Sequence, residues 1–166
     1  MTPRFRIPLS LQIFLFLVPM NIYVIGDGIG SGSQWLLFRF TSTYMGNGVV
    51  FLSQEIGLVA SGVLSGRSAL STGLWALAAA IIIIASLLAS YAYVEEEPSY
   101  IRFSGILNFC SAVLLILAII LQYGIVLNGP SGISVPFGIP VVIIVAIIQY
   151  YGLFSECYPE KEMDEN

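Results

Sequence analysis

The side chains that do most protein chemistry are scarce in this sequence. It contains no histidine, which removes the commonest metal ligand and the usual proton carrier near neutral pH. Two cysteines occur, Cys110 and Cys157. Neither has a second thiol or an acid nearby at zinc-ligand spacing, and a structural cysteine in apolar surroundings is inert. No glycine-rich phosphate loop and no nucleophile motif is present. These residues predict a protein that is not an enzyme and that carries no metal and no cofactor. The polar side chains that stand out are amides in apolar surroundings, above all Asn108, Gln122 and Gln149. Such amides either bond between helices, at about 0.6–2 kcal/mol each, or face a pore shared by several copies.

The elements that would position these amides follow from composition. Of 166 residues, 57% are hydrophobic and only 10% charged, with a mean hydropathy of +0.90. Soluble domains carry about 25% charged residues, so too little charge is present to coat a water-facing surface. A net charge of −4 offers no basic patch for nucleic acid. Apolar runs of roughly twenty residues recur, the length that crosses about 30 Å of hydrocarbon as a helix. They predict an all-α integral membrane protein, a four-transmembrane-helix bundle forming one membrane domain. The spans are placed at about 7–25, 69–94, 103–127 and 136–154, with an inner acidic tail at 155–166. The first run is read as a retained helix rather than a signal peptide, because Pro8 and Pro19 interrupt it and no small-residue cleavage site follows.

Orientation follows from the basic residues. Four spans with the N-terminus inside put Arg4, Arg6, Arg102 and Lys161 in the cytoplasm and leave Arg39 and Arg67 outside. A fifth span at about 48–65 would equalise the two sides. The charge rule therefore favours four helices with both termini cytoplasmic, in the cell membrane.

Residues 26–68 form the long outer loop of this reading. Gly28–Ser33 reads as a flexible turn. The aromatic and threonine-rich stretch Gln34–Thr43 suits a strand, with Met45-Gly46-Asn47-Gly48 as a turn into a second one. From Val49 onward two readings stand: a second strand of a small β-sheet, or an amphipathic helix with Val49, Leu52, Ile56, Val59 and Val63 on one face. Trp35, Phe38, Arg39, Phe51 and Arg67 are the candidate interaction residues of this loop. Glu55 and Asp27 are its acids, placed to pair with Arg39 and Arg67 at the membrane surface. The cluster Pro130–Pro140 reads as a stiff outer turn between the last two helices.

This layout resembles that of claudin and PMP22-type tetraspan proteins, with a long first outer loop and a short second one. Local features carry the likeness: Trp35 early in the loop, Gly66-Arg67-Ser68-Ala69-Leu70 at the start of the second helix, and Arg102, Gly105 and Phe109 in the third. The paired cysteines and the Gly-Leu-Trp of that family's first loop are absent. Gly73-Leu74-Trp75 lies within the second helix instead. The resemblance implies a non-enzymatic structural or auxiliary role in membranes and supplies no site residues.

The expected function is therefore a non-catalytic structural, assembly or accessory subunit, acting through helix packing and the outer loop. Its partners would be the lipid bilayer and either further copies of itself or a larger membrane complex. The alternative is an oligomeric channel or transport protein with Asn108, Gln122 or Gln149 facing a shared pore.

Overall fold

The computed structural model describes residues 6–129 and 131–151, the side chain of Asp27 excepted. Two long helices dominate it: α3 (Gly66–Glu95, 30 residues) and α4 (Pro98–Tyr123, 26 residues). At 1.5 Å per residue they run about 45 Å and 39 Å. Among the described residues these two are long and apolar enough to cross a membrane. The turn between them is short. Glu96 takes the left-handed conformation (φ 55°) that ends α3, and Pro98 opens α4, where its missing N–H costs no helical bond. Glu97 caps α4, its carboxylate accepting from the Ser99 hydroxyl at 2.9 Å.

The helices approach closely because their shared face is small. Ala78, Ala85, Ala89 and Ala92 of α3 are buried, as are Ser104, Ser111 and Ala112 of α4. Small residues let helix backbones come near enough for side chain-to-backbone bonds. Ser104 donates to the carbonyl of Ala85 at 2.9 Å and Ser111 to that of Ala78 at 3.0 Å. The outward faces of both helices carry large apolar side chains, among them Leu70, Leu77, Leu87, Phe103, Phe109 and Leu117. A surface of that kind suits hydrocarbon better than water.

Two shorter apolar helices pack on this pair: α1 (Arg6–Phe14) and α5 (Ile139–Tyr151). At about 14 Å and 20 Å neither described segment matches a hydrocarbon core. The rest of the molecule is an antiparallel sheet of six strands, in the order β4-β3-β2-β1-β6-β5. Their ranges are β1 Asn21–Ile25, β2 Gly30–Gln34, β3 Phe38–Thr43, β4 Gly46–Phe51, β5 Asn128–Gly129 and β6 Gly132–Val135. A nine-residue helix, α2 (Leu52–Ala60), follows β4 directly.

The expectation of an all-α, four-transmembrane-helix bundle is thus corrected. The run placed at 7–25 holds α1, a 3₁₀ turn at Leu15–Leu17, and then β1. Pro19 explains the break: the residue before a proline is pushed to extended backbone, and Val18 is extended (ψ 129°). The run placed at 136–154 starts as a helix only at Ile139, behind β6. The tetraspan layout, with a long first outer loop and a short second one, is replaced by two long helices and a sheet that draws strands from both connecting segments. The span at 69–94 extends to 66–95, and that at 103–127 becomes 98–123.

The outer loop corrects in detail as well. Gly28–Ser33, read as a flexible turn, holds most of β2, which pairs with β1 on one side and β3 on the other. The stretch from Val49 divides, strand to Phe51 and helix from Leu52 to Ala60, so Val49 and Val63 of the expected apolar stripe lie outside the helix. No fifth span forms at 48–65. The turn at 130–140 contains β6, which pairs with β1 from Ile22 to Ile25. Pro130 and the acidic tail 155–166 lie outside the described residues.

Candidate functional site

Polar groups gather at two levels. The deeper one is built by amides from three helices. Gln12 on α1, Asn108 on α4 and Gln149 on α5 are all completely buried. Asn108 Nδ2 donates to Gln12 Oε1 at 2.7 Å and to Gln149 Oε1 at 2.8 Å. Gln149 Nε2 donates to Gln12 Oε1 at 3.0 Å, and Gln12 Nε2 to Asn108 Oδ1 at 3.3 Å. The ring extends to α3 through Ser86 Oγ, which accepts from Gln12 at 3.1 Å. Ser104 also donates to Gln149 Oε1, at 3.3 Å. Every amide here is bonded to another helix. Buried polar groups that satisfy one another fix a unique arrangement of the elements that carry them.

The second level lies where the sheet meets the start of α3 and the end of α4. Arg39 on β3 pairs with Glu55 on α2, Nη1 to Oε1, at 3.3 Å, and both side chains are largely buried. The Thr72 hydroxyl on α3 donates to Glu55 Oε2, also at 3.3 Å. The guanidinium lies 5.6 Å from the ring centre of Tyr23 and 5.4 Å from that of Trp75. Cation–aromatic contacts within about 6 Å are attractive, and more so where water is excluded. One residue of the sheet is therefore tied to α2 by charge and to α3 by a ring.

Tyr23 completes this junction. Its hydroxyl meets Thr41 Oγ1 at 2.8 Å and donates to the carbonyl of Phe40 at 3.2 Å. Burial pushes that hydroxyl above its ordinary pKa of 10, against the opposing pull of the Thr41 bond and the Arg39 charge. The Tyr23 ring crosses β2 at Gly32, where any Cβ would strike it and the Phe40 carbonyl. Its centre is 6.3 Å from that of Tyr123 at the end of α4. At the start of β1, Asn21 Oδ1 accepts from the Ser134 hydroxyl of β6 at 2.7 Å.

The sequence candidates divide between these levels. Asn108 and Gln149 join in the deep cluster. Gln122 is apart from them, near the C-terminal end of α4, in the wall of a cleft that also contains Arg39, Glu55 and Thr72. Trp35 stacks on Phe38 at 5.5 Å and donates to Ser33 Oγ at 3.0 Å. Phe38 in turn meets Phe51, with ring centres 6.3 Å apart. Phe51 is half exposed at the end of β4. Arg67 is exposed on the first turn of α3 and is not part of either cluster. Of the ion pairs expected at the outer surface, Arg39–Glu55 forms, and it is buried rather than exposed.

Nothing in the sequence marks Tyr23 and Trp75 as partners of Arg39. No spacing rule links residues 16 and 36 positions away, so only the fold brings them together. Gln12 carried the same signal as Asn108, an amide in an apolar run, and belongs with it. Cys110 is exposed, and among the described residues no group of His, Cys, Asp and Glu is arranged to hold a metal ion.

Fold and site define a mixed helix-and-sheet protein, with two helices of membrane-crossing length and a sheet packed against them around a buried Arg39–Glu55 pair. No known protein family matches the chain, and no curated protein matches it in sequence.

Proposed function

We propose that this chain is a non-catalytic membrane protein that serves as a structural or accessory subunit. It would reside in the cell membrane, with α3 and α4 crossing as a hairpin and the sheet and the Glu95–Glu97 turn on opposite sides. The observation that carries the reading is the sealed amide cluster of Gln12, Asn108 and Gln149, a fully bonded lock inside a body with large apolar outer faces. Interior polarity is used for holding helices together, and the outer apolar surface is left for lipid and for other chains. The sheet supplies a further contact region around Trp35, Phe38 and Phe51. The likeness to claudin and PMP22-type proteins enters the proposal through their auxiliary, non-enzymatic role and not through a four-span layout.

Asn108 and Gln149 bond each other at 2.8 Å, so the channel alternative is carried by Gln122 alone. The test is mass determination of the complex after mild extraction, with every co-purifying chain identified. A stoichiometric oligomer, or a fixed ratio with other subunits, is the expected result. A lone monomer that conducts ions or solutes after reconstitution would overturn the proposal.

A further inference from the structure

The cleft beside Arg39 has the position and mixed lining of a headgroup site. Its volume is about 190 Å³. It opens between α2, β4 and the ends of α3 and α4, with Ser68 in the first turn of α3 and Gln122 one residue before the end of α4. If α3 and α4 cross a bilayer, this is the depth at which hydrocarbon gives way to headgroups. Its lining combines apolar side chains, Val50, Leu58 and Leu64, with the polar Arg39, Glu55, Ser68, Thr72 and Gln122. An amphiphile with a compact polar end suits such a mixed lining.

The charges narrow the class further. Arg39 and Glu55 lie side by side, so the cleft holds one cation and one anion and no net charge. Part of the polar lining is free: among the described residues the Gln122 amide and the Ser68 hydroxyl bond no other side chain. Both oxygens of Glu55 already accept, one from Arg39 and one from Thr72. Phosphate oxygens are the acceptors such a lining lacks. A simple anion would still meet the Glu55 carboxylate. A dipolar headgroup, with its phosphate toward Arg39 and Gln122 and its ammonium toward Glu55, meets both charges with the right sign.

We propose that this cleft binds the zwitterionic headgroup of a membrane phospholipid, with phosphate on the Arg39–Gln122 side and ammonium on the Glu55 side. The inference rests on the membrane reading of α3 and α4. The probe is the full chain in nanodiscs containing equal parts phosphatidylcholine and phosphatidylglycerol, followed by native mass spectrometry of the released protein. One retained phosphatidylcholine per chain is expected, favoured over phosphatidylglycerol by at least about tenfold, the equivalent of 1.4 kcal/mol.

Gln122→Leu breaks no existing bond and should reduce retention by about the same factor. Leu64→Trp, which adds bulk at an apolar lining position, should do so independently. Excess glycerophosphocholine, which has the headgroup without the acyl chains, should fail to displace the lipid. Equal retention of the two lipids, unchanged retention in both variants, or full displacement by glycerophosphocholine would each overturn the proposal. A chain that never partitions into membranes would instead defeat the membrane reading itself, so the two failures are distinguishable.

Discussion

Asn108 donates both of its amide hydrogens to carbonyl oxygens on other helices, one on α1 and one on α5. Removing it alone would take a bond from each of Gln12 and Gln149, which stay paired with each other and with Ser86 and Ser104, at about 0.5–1.5 kcal/mol per lost bond. An orphaned buried polar group costs about 1–3 kcal/mol, whereas replacing all partners together with apolar groups of similar shape can be nearly neutral. Asn108→Leu should therefore destabilise the fold by about 1–3 kcal/mol. The triple variant Gln12→Leu, Asn108→Leu, Gln149→Leu should recover part of that loss. Unfolding titrations in a mild detergent with increasing denaturing detergent measure both. A triple variant less stable than the single one would show that the cluster contributes by net attraction rather than by mutual satisfaction. Amides in apolar runs were legible in the sequence as a set, but their partnership was not. Gln12 and Gln149 are 137 positions apart, and only the packing of α1 against α5 brings them within bonding distance. The same holds for Arg39, whose ionic partner Glu55 was visible as an outer acid while its two aromatic neighbours gave no local signal.

Among the elements, α3 and α4 were the most legible, since long uncharged apolar runs have one stable form in hydrocarbon. The hairpin of β3 and β4 was also visible, through its aromatic and β-branched residues and its glycine turn. Two features hid the rest of the sheet. β1 (Asn-Ile-Tyr-Val-Ile) continues the hydrophobicity of α1, and a short apolar run does not reveal its own period. β2 (Gly-Ser-Gly-Ser-Gln) has almost no intrinsic strand preference and is held by its neighbours, as sheet propensity depends on context. Its Gly32 is needed because Tyr23 lies across it. The fit between helices is equally specific. A Cβ at Gly105 of α4 would lie 2.8 Å from the Ala146 carbonyl and 2.9 Å from the Tyr150 nitrogen of α5. Gly105→Ala must push α5 away and should cost about 1–3 kcal/mol, the usual penalty of overpacking. Gly73→Ala in α3 meets nothing within 4 Å and should stabilise by up to about 1 kcal/mol through helix propensity. Thermal unfolding of the two variants side by side tests the contrast, and equal shifts would contradict the packing seen between α4 and α5.

At the scale of the whole molecule, the chain has a polar end and an apolar body. The sheet, α2 and the Arg39–Glu55 pair lie at one end of the long helices, and the triple glutamate turn Glu95–Glu97 lies at the other. Between them α3 and α4 present outward apolar faces over their length. Tyrosines frame the glutamate end: Tyr91 meets Tyr100 edge-on at 4.9 Å, and Tyr150 meets Tyr151 at 5.2 Å. Aromatic rings with polar tips are favoured at membrane–water boundaries. Such a body, inserted with α3 across the bilayer, must place the sheet and the glutamate turn on opposite sides. Single cysteines at Tyr44 and Glu96, introduced in a background lacking Cys110 and Cys157, report this directly. Tyr44 is an exposed turn residue beside β3, and Glu96 ends α3. In sealed membrane vesicles, an impermeant thiol reagent should label one of the two at once and the other only after permeabilisation. Labelling of both before permeabilisation would mean that α3 does not cross. The apolar faces would then have to be covered by other protein chains, and the headgroup cleft would lose its membrane setting.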